Sequence, residues 1–116
     1  MARFDVFANS GPHAASTPYL LDVQSDLFDG LDSRVVIPLR RLSHFASVKL
    51  PENLMPVFNV NGQDCLLETP KMAAVPLRTL KTPVTSLVAQ QSRVVAAMDF
   101  LFNGYCEGCN PPETSP

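Results

Sequence analysis

Between Val84 and Gly104 the chain reads VTSLVAQQSRVVAAMDFLFNG, the one stretch whose apolar residues keep helical spacing over several turns. Leu87, Gln91, Val94, Met98 and Leu101 follow at intervals of three and four, with Val88, Val95 and Phe102 beside them, so one broad face is apolar. Gln90, Arg93 and Asp99 fall on the opposite side. Thr85 or Ser86 is placed to cap the first turn, Pro83 sits just ahead of it, and Gly104 suits a left-handed stop. The spacing predicts a helix over 84–104. A lone amphipathic helix must lie on an apolar surface, and only strands remain to supply one. The fold class is therefore mainly β with one C-terminal α-helix, and Met98, Leu101 and Phe102 read first as core.

The strand signals agree. Asn61-Gly62 supplies two positive φ angles at low cost between Pro56–Val60 and Gln63–Glu68, which predicts a two-residue hairpin. Arg3–Phe7, Tyr19–Asp26, Arg34–Leu39 and Met72–Leu80 read as further strands, with Pro38 and Pro76 confining their pairing to edges or bulges. Asn9–Pro18 (NSGPHAASTP) reads as a mobile loop. Leu27 to Asp32 is a turn-rich excursion in which Leu27 and Phe28 form either a satellite core, the favoured reading, or an exposed contact. Gly and Pro fall between strands, so residues 1–105 form one domain, and 106–116, with three prolines in its last six residues, is expected to be a disordered tail.

Charge and motifs narrow the chemistry. Nine basic and eleven acidic residues give a net charge of −2, with no basic stripe for nucleic acid. No apolar run approaches the ~20 residues that a spanning helix needs. The opening MARFDVFANS lacks the layout of a secretory signal, so the cytoplasm is the expected compartment. Three cysteines do not suit a disulfide framework. Cys65 reads as buried, and Cys106 and Cys109 form a CxxC that is half a zinc site without its partner ligands, so neither metal nor other cofactor is expected. Asp22 and Asp26 share a side of one strand by parity, and surface placement is the ordinary outcome for such a pair. His13 reads as solvated. Arg40, Arg41 and His44 form a basic exit from a strand, read as solvated because no carboxylate adjoins them in sequence. Phosphate-loop, nucleophile-elbow and metalloprotease motifs are absent. The residues by themselves describe a small β-rich binding domain.

Four separated segments carry a resemblance. LDVQSDLFD (Leu21–Asp29), VVIPL (Val35–Leu39), MAAVPL (Met72–Leu77) and MDFLFNG (Met98–Gly104) fall in the order and spacing of the CcdB toxins, and the chain is similar to that family from Arg3 to about Tyr105. The resemblance implies an SH3-like barrel: a twisted antiparallel sheet, a small second sheet and the C-terminal helix laid across. It implies a homodimer that is not an enzyme, binds the DNA gyrase A subunit through paired helix ends and traps gyrase on cleaved DNA. It also implies a CcdA-like antitoxin that neutralises the toxin, with repression of the shared operon and a role in plasmid maintenance. The family's Trp-Gly-Ile terminus falls on Asn103, Gly104 and Tyr105, of which the glycine agrees. With Leu27, Phe28, Asp99 and Phe102 these are the expected gyrase-binding residues. Antitoxin contacts are expected around Asn9–Pro18 (Asn9, Ser10, His13) and Arg40–Val48 (Arg40, Arg41, His44). Two alternatives stand beside this: a protein of the same fold that binds antitoxin without poisoning gyrase, and an mRNA-cleaving toxin on the same barrel using Arg40, Arg41 and His44.

Overall fold

In a computed structural model that describes residues 2–28, 30–44 and 52–104, antiparallel strands curl into a half-barrel closed by one helix. The strands are β1 (Asp5–Ala8), β2 (Tyr19–Asp22), β3 (Ser33–Arg41), β4 (Val57–Val60), β5 (Gln63–Leu67), β6 (Ala73–Pro76) and β7 (Pro83–Ser86), and the helix is α1 (Gln91–Asn103). The sheet runs β4-β5-β3-β2-β1-β7, and β6 joins it by pairing with β3.

The nine-residue β3 is shared by two arms. One of its edges pairs with β2. Along the other, Ser33–Val36 pairs with β6 and Leu39–Arg41 pairs with β5. The five-strand run β7-β1-β2-β3-β6 is the main twisted sheet, and β3-β5-β4 is the smaller one. Pro38, expected at an edge or bulge, stands inside β3 opposite Leu20. It is tolerated because it occupies the fork, where β3 has left β6 and not yet met β5, so no ladder partner there needs its missing N–H. Its carbonyl accepts from the Glu68 N–H at 2.9 Å.

The Asn61-Gly62 hairpin forms as its sequence predicts, with φ of 50° and 87° at the two turn residues. The helix begins later than its apolar spacing implies. Pro83–Ser86 is strand β7 on the outer edge of β1, Val88–Gln90 is a 3-10 turn, and only then does α1 start. Val84 and Thr85 are β-branched and favour the extended backbone, and β1 would otherwise present an open edge. Ser86 does not cap the helix, whose first turn follows Gln90 without a side-chain cap; its Oγ accepts the Val88 N–H at 3.1 Å in a local turn at the end of β7. The far end is as expected: Gly104 is left-handed at φ 77° and donates its N–H to the Phe100 carbonyl at 2.9 Å.

Other boundaries shift for local reasons. Phe4 takes a left-handed φ of 73°, so β1 begins after it at Asp5 while its ring stays buried. Strand β2 stops at Asp22, and β6 stops at Pro76, after which Leu77–Thr79 turns as 3-10. The Asn9–Pro18 loop is a run of turns pinned at both ends: the Asn9 N–H donates to the Pro18 carbonyl and the Arg41 N–H to that of Ser16, each at 2.8 Å.

One core lies between the curled sheet and α1. Val6, Leu21, Ile37, Leu39, Phe58, Cys65, Leu67 and Leu87 meet Val94 and Ala97 of the helix, with Val95 and Met98 packed at the margin. Burial holds the Cys65 thiol above its ordinary pKa. The opposite strand parity supplies a smaller cluster of Phe7, Val36 and Leu80. Arg93 lies over the Phe58 ring at 4.5 Å and donates to the Val57 carbonyl at 3.1 Å, which ties α1 to the edge strand β4.

Candidate functional site

The surface is notable for where it leaves large apolar side chains in water. Leu27 is 88% exposed, Phe28 56% and Leu31 53%, all on the excursion between β2 and β3. Leu27 and Phe28 are thus not the satellite core favoured on general burial tendency. The excursion is a single 3-10 turn, Asp26–Phe28, too short to fold its side chains back onto the sheet. Phe102 is 66% exposed and likewise not core. The buried seam of α1 runs through Val94 and Ala97, which leaves Phe102 off the packed face in the last turn of the helix. Asn103 and Gly104 beside it are exposed, and Asp99 is half-buried. Tyr105, with Cys106, Cys109 and the rest of the tail, lies outside the described residues.

Beneath the Leu27–Phe28 turn lies an ion pair that sequence reasoning did not find. Asp22 is completely buried, not on the surface, and so is Arg34. The Arg34 Nε donates to Asp22 Oδ2 at 2.9 Å and its Nη2 lies 2.8 Å from the same oxygen. Arg34 Nη2 also donates to the Gln24 carbonyl at 3.2 Å and reaches the Asp26 carboxylate at 3.5 Å. Burial pushes the Asp22 carboxyl above its ordinary pKa, while Arg34 and the Gln24 N–H pull it down without cancelling the rise. The signal was present: one acid inside YLLDV and one base heading RVVIPL, each in an otherwise apolar strand, in strands that pair. Opposite charges so placed satisfy each other, because neither can be buried alone.

The residues expected to meet an antitoxin fall in two places. Asn9 is half-buried and structural, with its Nδ2 donating to the Thr17 carbonyl at 2.8 Å and its Oδ1 accepting from the Gly11 N–H at 3.0 Å. Ser10 and His13 are exposed on the same loop. Asn9 and His13 line a cleft of about 380 Å³ with Leu20, Pro38, Arg40, Glu68 and Lys71. Arg40 does have a carboxylate, across the sheet: Glu68 lies 3.7 Å away and is shared with Lys71 at the same distance. Arg41 faces elsewhere, donating to the Ala15 carbonyl and to Gln63 Oε1, each at 2.7 Å. The basic exit is therefore a bonded strand end and not a solvated connection. His44 closes the 3-10 turn Leu42–His44; its side chain and residues 45–51 lie outside the described structure.

A curled sheet with a C-terminal helix, apolar residues raised at two places on its surface and a polar cleft beneath a pinned loop define a small protein-binding module. The sequence model of the CcdB protein family matches residues 3–104, nearly the whole described chain, and the chain belongs to the CcdB family. That family is one of protein-binding toxins from toxin–antitoxin systems. Among the described residues no helix is long and apolar enough to cross a membrane.

Proposed function

We propose that this chain is a toxin that binds the DNA gyrase A subunit as a homodimer and traps the gyrase–DNA cleavage complex, and that a CcdA-like antitoxin neutralises it. The observation that carries the reading is the exposure of Leu27, Phe28 and Phe102, since large apolar side chains left in water at family contact positions suit an interface hot spot. Asp99, Asn103, Gly104 and Tyr105 complete the gyrase surface in this reading. The chain holds no tryptophan, so the aromatic wedge that the family places at Asn103 is supplied by Phe102 and Tyr105. Asn9, Ser10, His13, Arg40, Arg41 and His44 form the antitoxin side. The target sets the compartment as the cytoplasm.

The test is a cleavage assay with purified protein and the host organism's gyrase. Linear DNA surviving protein removal supports poisoning, and Phe102→Ser then lowers potency about thirtyfold, the usual loss for an aromatic hot spot. The absence of tryptophan favours a second reading, a family member that binds antitoxin without poisoning gyrase. Asn103→Trp separates the two: it strengthens trapping if gyrase is the target and leaves an inert protein inert otherwise. An RNA-cleaving role draws no support from Arg40 and Arg41, whose guanidinium groups are engaged with Glu68 and with Gln63 and Ala15.

A further inference from the structure

The turn that carries Leu27 and Phe28 gains almost nothing from burial of its own side chains, so its shape must come from elsewhere. Polar bonds supply it from three sides. The Asp26 carboxylate accepts the Arg3 N–H at 2.9 Å and faces Arg34 Nη2 at 3.5 Å. The Gln24 side chain spans the base: its Oε1 accepts the Val35 N–H of β3 at 3.1 Å, and its Nε2 donates to the Phe28 carbonyl at 3.1 Å. Ser25 Oγ accepts the Leu27 N–H at 3.2 Å. Arg34, anchored on the buried Asp22, holds the Gln24 carbonyl from below.

A buried ion pair is a poor source of stability, because desolvation consumes most of its Coulombic gain. It is well suited to fixing geometry. A loop already ordered in its bound shape loses less conformational freedom on association, and that saving appears as affinity. We propose that Gln24 and Asp26 are positioning residues that hold the Leu27–Phe28 turn in its partner-binding shape, with Arg34 as their common anchor. The identity of the partner rests on the gyrase reading above; the positioning itself does not.

Asp26 is exposed and can be replaced without opening a cavity, so Asp26→Ala is the main variant and Gln24→Met, which acts from the other side of the turn, is the second. Two quantities are measured: amide hydrogen exchange at Leu27, Phe28 and Leu31, and affinity for the gyrase A subunit. Each variant should speed exchange at those amides and weaken gyrase binding about tenfold with antitoxin affinity near the parent's, and Asp26→Ala should also keep the parent's thermal midpoint. Asp26→Asn keeps an oxygen for the Arg3 N–H and should recover part of the loss. Combining Asp26→Ala with Phe28→Ala should cost less than the sum of the two single losses, since part of what the turn positions is then gone. Unchanged exchange in both variants overturns the proposal, and so does faster exchange with undiminished affinity. If the parent itself fails to bind gyrase, the functional reading falls, and the exchange data alone decide whether the turn is positioned.

Discussion

At the scale of single residues, burial and charge compete most directly at Asp22. Its carboxyl is raised above the ordinary 3.8, chiefly by burial, so the folded chain holds this proton more tightly than the unfolded chain does. The sign follows: between 3.8 and the raised value the native state binds more protons, and stability falls as pH rises through that window. Asp22→Asn removes the titration. Urea midpoints of parent and variant across the acid range should show the parent's relative stability declining from the low-pH end upward, and a relative stability that climbs with pH would contradict the assignment. This is also the scale at which the sequence was least legible. The general rule that acids lie at the surface misplaced Asp22, and the rule that large apolar residues lie inside misplaced Leu27, Phe28 and Phe102. Both are averages over proteins, and neither decides where a particular side chain falls.

At the scale of elements, local chemistry was readable wherever the backbone demanded a special angle. Asn61-Gly62 and Gly104 were found because few residues accept positive φ. Gly104→Ala should therefore destabilise the chain by about 1 kcal/mol in urea titration, the cost of a Cβ in a left-handed stop, although open space surrounds the site. A variant equal in stability to the parent would mean that the cap contributes nothing. The start of α1 was misread for a physical reason: Leu87 belongs to the same core as Val94 and Ala97, so its spacing fits the helical pattern, yet it is reached from strand β7 through a 3-10 turn. Periodicity records which residues share a core; it does not record which backbone brings them there. The fork in β3 was equally hidden, since nothing in RVVIPL says that its outer edge serves two strands.

At the scale of the whole molecule, the fold class was legible from one helical stretch among strands, and the arrangement of the sheet came through the resemblance now supported by the family match over residues 3–104. Distant parts of the chain meet in the sheet: β1 pairs with β7, which forms one of its outer edges, with Val6 opposite Thr85. The Leu87 N–H then donates to the carbonyl of Phe4 at 2.9 Å, fastening the approach to α1 onto the chain's first residues. A chain cut after Leu80 lacks both the edge strand and the helical lid, and should show no cooperative unfolding transition by circular dichroism, with its core face open to aggregation. A sharp transition in that fragment would show the sheet to be self-sufficient.

That late pairing has a consequence for synthesis. Leu27 and Phe28 emerge early, while Phe102 comes almost at the end of the described chain, after the edge strand β7. A nascent chain that has not yet reached α1 therefore presents the Leu27–Phe28 turn without Phe102. The two exposed apolar places coexist in a folded chain only after β7 and α1 have been made, so in the gyrase reading proposed above the partner surface is among the last parts of the fold to be completed.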